Sequence, residues 1–315
     1  MICDLTGMDV ANASVYDGAT AAAEAIAMCR EAKRDRALVD AGINPRALAV
    51  IETYAFGSGM KIEKVEAKDL GAKLAPDVAC VYLQQPDFFG TIADAEAIGK
   101  AAHAAGAKFV MGVNPIAAAI LKSAGECGAD VAVGEGQPLG MPLSWGGPYL
   151  GFMAATTAMM RKLPGRIVGE TVDAEGKRAF VLTLQAREQH IRREKASSNI
   201  CSNQNLCALT ASVYLATMGN VGLKRAAESS YANAHYLKDE LGKLGFKHED
   251  KGEFFHEFVT TTPVPATELL DKLASEGVLG GFKLDEGRLL WCATELNDKA
   301  DIDRLVQLIG KVVAK

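Results

Sequence analysis

The stretch from Asp77 to Val113, DVACVYLQQPDFFGTIADAEAIGKAAHAAGAKFVMGV, decides the fold class. Asp77 to Gln84 is apolar almost throughout and stops at Gln85-Pro86, Ile92 to Ala105 is alanine-rich and reads as a helix, and Lys108 to Val113 is apolar again after Gly106. A strand that is apolar on both faces, followed by a helix and a second such strand, is the unit of a parallel sheet. The pattern repeats on either side. Before it come a helix between Asp17 and Arg36, a β-type run over Arg36 to Ile43, a helix from Pro45 and a run over Lys61 to Glu66; after it come a helix from Ile116 and a run over Asp130 to Val133. The alternation predicts an α/β fold with a large, doubly wound, mainly parallel sheet.

Beyond residue 134 the texture changes. Residues 134–151 mix Gly134, Gly136, Gly140, Gly146 and Gly147 with Pro138, Pro142 and Pro148, which no helix or central strand accepts, so an irregular functional or interface loop is expected. Asn203 to Met218 is helical, with Leu206, Leu209, Val213 and Tyr214 on one stripe, and Val221 to Leu244 continues as a second helix. Then follow β-type runs over Phe246 to Glu249, Phe254 to Thr260 and Arg288 to Ala293, a helix over Thr267 to Glu276 and a last amphipathic helix. Two domains are expected: residues 1–220, large and α/β, and residues 221–315, small and α+β.

The 315 residues hold 34 Lys and Arg against 39 Asp and Glu, a net charge of -5, so nothing pulls the chain toward nucleic acid or an anionic membrane. Seven scattered cysteines without a C-x-x-C pair suit a reduced, cytoplasmic setting. Neither the cysteines nor the five histidines show ligand-type spacing, and no metal is expected.

Four places can carry chemistry. Tyr16-Asp17-Gly18-Ala19-Thr20 opens a helix, where free N–H groups and the Thr20 hydroxyl suit a phosphate, or where Asp17 is a cap. Asp87 follows a strand, where ligands sit in open α/β sheets, or caps the helix beginning near Thr91. The loop from Gly134 carries neither Lys nor His up to Tyr149, which leaves it backbone contacts or partner packing. Arg187, Arg192, Arg193 and Lys195 lead into Ser197, Ser198, Asn199, Cys201 and Asn203: an anion site, or a solvated charged helix and a cap. Cys201 and His190 being near in sequence does not make them a nucleophile and base.

The runs LTGMDVANASVYDGATA (Leu5 to Ala21), GEGQPLGMPLSWGGPYLGF (Gly134 to Phe152), PGRIVGETVD (Pro164 to Asp173) and LTLQAREQHIRREKASSNICSNQ (Leu182 to Gln204) resemble the P-protein family of the glycine cleavage system, and within it the first subunit of the two-subunit bacterial form. The resemblance covers essentially the whole chain. It implies the aminotransferase-like fold (fold type I) of pyridoxal-phosphate (PLP) enzymes, with active sites at a subunit interface. It also implies the family reaction: glycine loses carbon dioxide on PLP, and the aminomethyl group passes to the lipoyl arm of the H-protein.

Against that family, Gln137 stands where the catalytic subunit has its cofactor lysine, with Gly146-Gly147-Pro148 in register, and an amide forms no Schiff base. Phe109 to Asn114 offers no acidic partner for a pyridinium nitrogen. The resemblance therefore implies that PLP is bound covalently by the partner, subunit 2, in a heterotetramer with two copies of each subunit. This chain would lend Ser197, Ser198, Asn199, Cys201 and Asn203 to the partner's cofactor and Arg187, Arg192, Arg193 and Lys195 to the entrance. Tyr16, Asp17, Gly18, Thr20, Asp87 and Gln137 would form a degenerate pocket of its own. The alternative is a catalytically silent scaffold that stabilises the partner. The family's first subunit also carries a long segment before the position of Met1, so the start of the chain is expected to be either truncated or mis-called.

Overall fold

The structure, a computed structural model, describes residues 1–249 and 252–314. They divide into two units: Met1–Gln85 with Asp94–Gly219, and Pro86–Ala93 with Asn220–Lys315. The first unit runs α1 (Ile2–Thr6), β1 (Val10–Ala11), α2 (Gly18–Met28), β2 (Arg36–Asp40), α3 (Pro45–Ser58), β3 (Lys61–Val65), β4 (Val78–Gln85), α4 (Ala95–Ala104), β5 (Lys108–Val113), β6 (Val131–Glu135), β7 (Gly151–Ala155), β8 (Ile167–Val172), β9 (Arg178–Thr183) and α5 (Gln189–Arg192). α6 (Asn205–Lys243) enters the second unit, which adds β10 (Glu257–Thr261), α7 (Ala266–Ser275), β11 (Phe282–Asp285), β12 (Arg288–Cys292) and α8 (Lys299–Val313).

Seven strands of the first unit form one sheet in the order β1-β7-β6-β5-β4-β2-β3. The pairs among β3, β2, β4, β5 and β6 are parallel, and β7 runs antiparallel between β6 and β1. β4 is buried along almost its whole length, which is why its sequence is apolar without alternation. α2 lies close to β6 and β7 because its buried residues include Ala21, Ala22, Ala23 and Ala25, small side chains that let backbones approach. α2, α3 and α4 each start on a side-chain acceptor: Asp17 for the Thr20 amide (2.6 Å), Asn44 for Arg46 (2.9 Å) ahead of Pro45, and Asp94 for Ala97 (3.0 Å).

Two expectations about elements give way, and one hairpin is new. The helix from Ile116 is a single 3-10 turn, Ala117–Ala119. Asn114 caps the Ile116 and Ala117 amides, and the chain then turns where Gly125 packs so closely on Gly7 that a Cβ would lie 2.0 Å from the Gly7 carbonyl oxygen. Phe246 to Glu249 forms only an isolated bridge, His248 with Thr260. The hairpin of β8 and β9 was not legible, because Val168, Val172, Phe180 and Val181 are exposed and leave no buried face to read.

The second unit packs α7 and α8 on the antiparallel sheet β10-β12-β11 around Phe258, Leu269, Leu289, Trp291 and Ile309. Trp291 Nε1 donates to Thr260 Oγ1 at 2.9 Å, satisfying the one polar atom of that ring. The arm Pro86–Ala93 belongs to this unit: Ile92 N–H donates to the Glu253 carbonyl (2.9 Å), and Gly90, at φ 94°, sits where a Cβ would lie 1.7 Å from the Glu257 carbonyl oxygen. Only glycine fits there.

By length and composition α6 could cross a membrane. Its helical geometry breaks at Gly219 (φ 59°, ψ -174°), however, and the half before the break, residues 205–218, spans roughly 21 Å at 1.5 Å per residue, short of a hydrocarbon core of about 30 Å. Three of the four stripe residues read from the sequence face outward, with Leu206 76% exposed and Leu209 and Val213 also exposed, whereas Tyr214 is half-buried beside Gly140, and Cys207 and Ala211 face the core.

Candidate functional site

Ligands of parallel α/β sheets bind beyond the carboxyl ends of the strands, where a helix N-terminus offers free N–H groups to an anion. In this protein that place is filled from within. β6 ends in Glu135, whose Oε2 accepts from the Gly18 N–H at the start of α2 (2.9 Å), while its Oε1 accepts from the Gln137 and Leu150 N–H groups (both 2.9 Å). Asp17 takes the Thr20 amide. A carboxylate of the chain thus stands where a phosphate would, and Gly18 is so close that a Cβ would lie 2.8 Å from the Glu135 nitrogen. Burial raises the Glu135 carboxyl above its ordinary value, and the three N–H bonds oppose that rise. Asp17 thus forms the cap of α2, one of the two readings of the segment Tyr16 to Thr20.

Gln137 turns its amide onto its own loop, donating to the carbonyls of Pro142 (3.1 Å) and Leu143 (3.3 Å). On β5, Gly112 lies under Tyr82: a Cβ there would sit 2.3 Å from the Tyr82 hydroxyl, so no acidic side chain fits. Tyr82 is fully buried, which pushes its phenol above the usual range. The residues at this place do not fit a covalently held PLP: Gln137 offers no amine for a Schiff base, Gly112 no carboxylate for the ring nitrogen, and the Gly18 N–H is already taken by Glu135. Sequence reasoning missed Glu135 and Tyr82. The signal for Glu135 was present, as an acidic residue flanked by Gly134 and Gly136 in a loop otherwise of glycine, proline and apolar residues.

Asp87 lies in the arm of the second unit. Its Oδ1 accepts from Phe89 (2.9 Å) and Thr91 (2.8 Å), closing the arm's own turn, and the cap of α4 is Asp94 instead.

The segment 187–203 is a mixture. Ser198 Oγ donates to the buried Glu24 (2.9 Å), whose carboxyl burial pushes up to about 6, and Asn203 Nδ2 donates to Ser14 Oγ (2.9 Å). Arg187 is half-buried and holds the Gly165 and Leu184 carbonyls. Ser197, Asn199, Arg192, Arg193 and Lys195 are exposed. Cys201, Glu188 and His190 do come together, with ligand atoms within 4.8 Å of one another. Arg166 joins them, 3.7 Å from both Glu188 Oε2 and Cys201 Sγ.

Solved structures carry the same fold. An aspartate aminotransferase from Thermus thermophilus matches 99% of this chain and 87% of its own at TM-score 0.66 with 16% identity. The fold is therefore fold type I of the PLP-dependent enzymes, the aminotransferase-like class. Within it, a crystal structure of glycine decarboxylase (P-protein) of the glycine cleavage system, in inhibitor-bound form, is 40% identical at TM-score 0.94 over 99% of this chain and 74% of that one. A probable glycine dehydrogenase (decarboxylating) subunit 1 of Desulfitobacterium hafniense is 48% identical over 99% of this chain and 73% of its own length. Residues 1–309 match the family described as glycine cleavage system P-protein, and the chain belongs to that family.

Proposed function

We propose that this chain is the non-catalytic first subunit of a two-subunit glycine decarboxylase. With subunit 2, which holds PLP covalently, it takes part in decarboxylating glycine and passing the aminomethyl group to the lipoyl arm of the H-protein. The observation that carries this reading is the closure of its own strand-end site, with Glu135 on the α2 N-terminus and Gln137 on the loop carbonyls. A chain of this family with its own site closed works through a partner's site.

The surface supports docking of subunit 2 on the first unit. Leu206, Leu209 and Val213 on α6, with Leu143 and the 90% exposed Trp145 of the glycine loop, are large apolar side chains left in water. Ser197 and Asn199 are the exposed polar groups of the segment 197–203 and the candidates for reaching the partner's cofactor phosphate, with Arg192, Arg193 and Lys195 at the entrance for an acidic H-protein surface. Ser198 and Asn203, held by Glu24 and Ser14, favour the second reading, a scaffold that never touches the cofactor.

The test is exchange of the glycine carboxyl with bicarbonate in a mixture of this chain, subunit 2 and H-protein. Asn199→Ala is expected to lower exchange about tenfold or more, the ordinary cost of one lost charge-assisted contact, with assembly intact by gel filtration. Unchanged exchange in that variant would establish the scaffold, and full exchange by subunit 2 without this chain would remove both readings.

A further inference from the structure

An opening of about 510 Å³ lies in the second unit against its small sheet. Glu257 and Cys292 stand on its wall, directly opposite one another where β10 pairs with β12. His256 precedes β10, and its carbonyl accepts the Ala293 N–H at 3.1 Å, which ties it to the end of β12. One ring nitrogen of His256, a carboxylate oxygen of Glu257 and Sγ of Cys292 lie within 4.8 Å of one another. His256 Nδ1 is buried without a hydrogen-bond partner.

We propose that His256, Glu257 and Cys292 form a binding site for a divalent transition metal of the zinc class, with a further coordination position open to the cavity. Thiolate, imidazole and carboxylate together are a borderline-soft donor set that suits zinc and excludes calcium and magnesium, which take oxygen alone. Three protein ligands beside an open space leave room for water or a small anion as the fourth. The surrounding charge favours a cation, since the neighbouring ionisable groups that act on Glu257 and Cys292 are the carboxylates Asp87 and Glu295.

The other trio, Glu188, His190 and Cys201, is the weaker candidate, because the Arg166 guanidinium stands 3.7 Å from two of its ligand atoms and repels a dication. The spacing of the residues in sequence hides the site. It exists only because the register of β10 on β12 brings Cys292 back to Glu257.

The full chain, freed of metal, is titrated with Co²⁺ alone. The expected result is a near-ultraviolet thiolate-to-cobalt charge-transfer band that Zn²⁺ abolishes by competition. Cys292→Ser removes the band, and His256→Ala weakens binding by at least the ~10- to 100-fold that loss of even an outer-shell partner costs. Cys201→Ser leaves both unchanged. Zn²⁺ should raise the unfolding midpoint of the wild-type chain but not of Cys292→Ser, which shows that this exposed substitution folds and has lost the ligand. The proposal is overturned by absence of the band in the wild-type chain, or by a band that survives Cys292→Ser.

Discussion

Glu135 and Glu257 are both half-buried carboxylates at the ends of sheet strands, and they have opposite fates. Glu135, in the first unit, accepts three backbone N–H groups and closes the place where the fold would admit a phosphate. Glu257, in the second, meets burial and the charge of Asp87 without an opposing hydrogen bond, which pushes its carboxyl to about 7, and it faces a cavity. Glu24 lies between them, with one hydroxyl donor and a carboxyl pushed up to about 6. The lesson concerns satisfaction rather than burial. A buried carboxylate with enough donors is architecture, and one without them is a vacancy for a cation or a proton.

The largest test of that contrast is Glu135→Ala. It strands three backbone donors at once, and the loss of stability by urea unfolding is expected to be on the order of 3–4 kcal/mol. Added phosphate should return part of it, because the emptied α2 N-terminus becomes an anion site. An unfolding midpoint equal to wild type would break the contrast outright.

A smaller effect is expected for Glu24→Gln. The carboxyl titrates at about 6 when folded against an ordinary 4.5, so the folded chain holds its proton longer than the unfolded one. Its contribution is full below pH 4.5 and is lost as pH rises through about 6, a change of roughly 2 kcal/mol. The glutamine keeps the bond from Ser198 and carries no charge. At neutral pH the variant should therefore be about 2 kcal/mol more stable than wild type, with the two curves meeting near pH 4. A variant that tracks wild type across the whole range would show that Glu24 is not strained.

The smallest change is expected for Gln137→Lys, within about 0.5 kcal/mol by thermal unfolding, since an ammonium can take over the loop carbonyls. Although it supplies the missing amine, PLP should not become covalently attached after borohydride reduction, because Glu135 still occupies the helix N-terminus. Stoichiometric labelling would mean that the lysine alone was missing.

The doubly wound class was legible because a parallel strand buried on both faces, such as Val78–Gln85, must be apolar throughout and its neighbours are punctuated by Gly, Pro and caps. The exposed hairpin Ile167–Thr183 was not, although Asp173 and Gly176 mark its turn, since strands without a buried face have no period to betray them. At the site, the family resemblance drew attention to Gln137, whose amide the structure places on the loop carbonyls of Pro142 and Leu143. Glu135 stood out as an acidic residue between two glycines, but its role was not readable, because it depends on Gly18, more than a hundred residues away in sequence. His256, Glu257 and Cys292 escaped for the same reason: metal spacing rules look along the chain, and this trio is assembled across a strand pair.

The arm Pro86–Ala93 bears on synthesis. It leaves the ribosome between two strands of the first unit, β4 and β5, yet the backbone it pairs with, at Glu253 to Glu257, comes much later. At about 5–20 residues per second the arm waits on the order of 10–30 s for its place to exist. During that interval Phe88 and Phe89 have no aromatic neighbour beyond each other, because Phe282 has not been made. The nascent first unit therefore displays a sticky loop whose shelter is the last quarter of the chain, and a chaperone that shields short aromatic segments would find its target there.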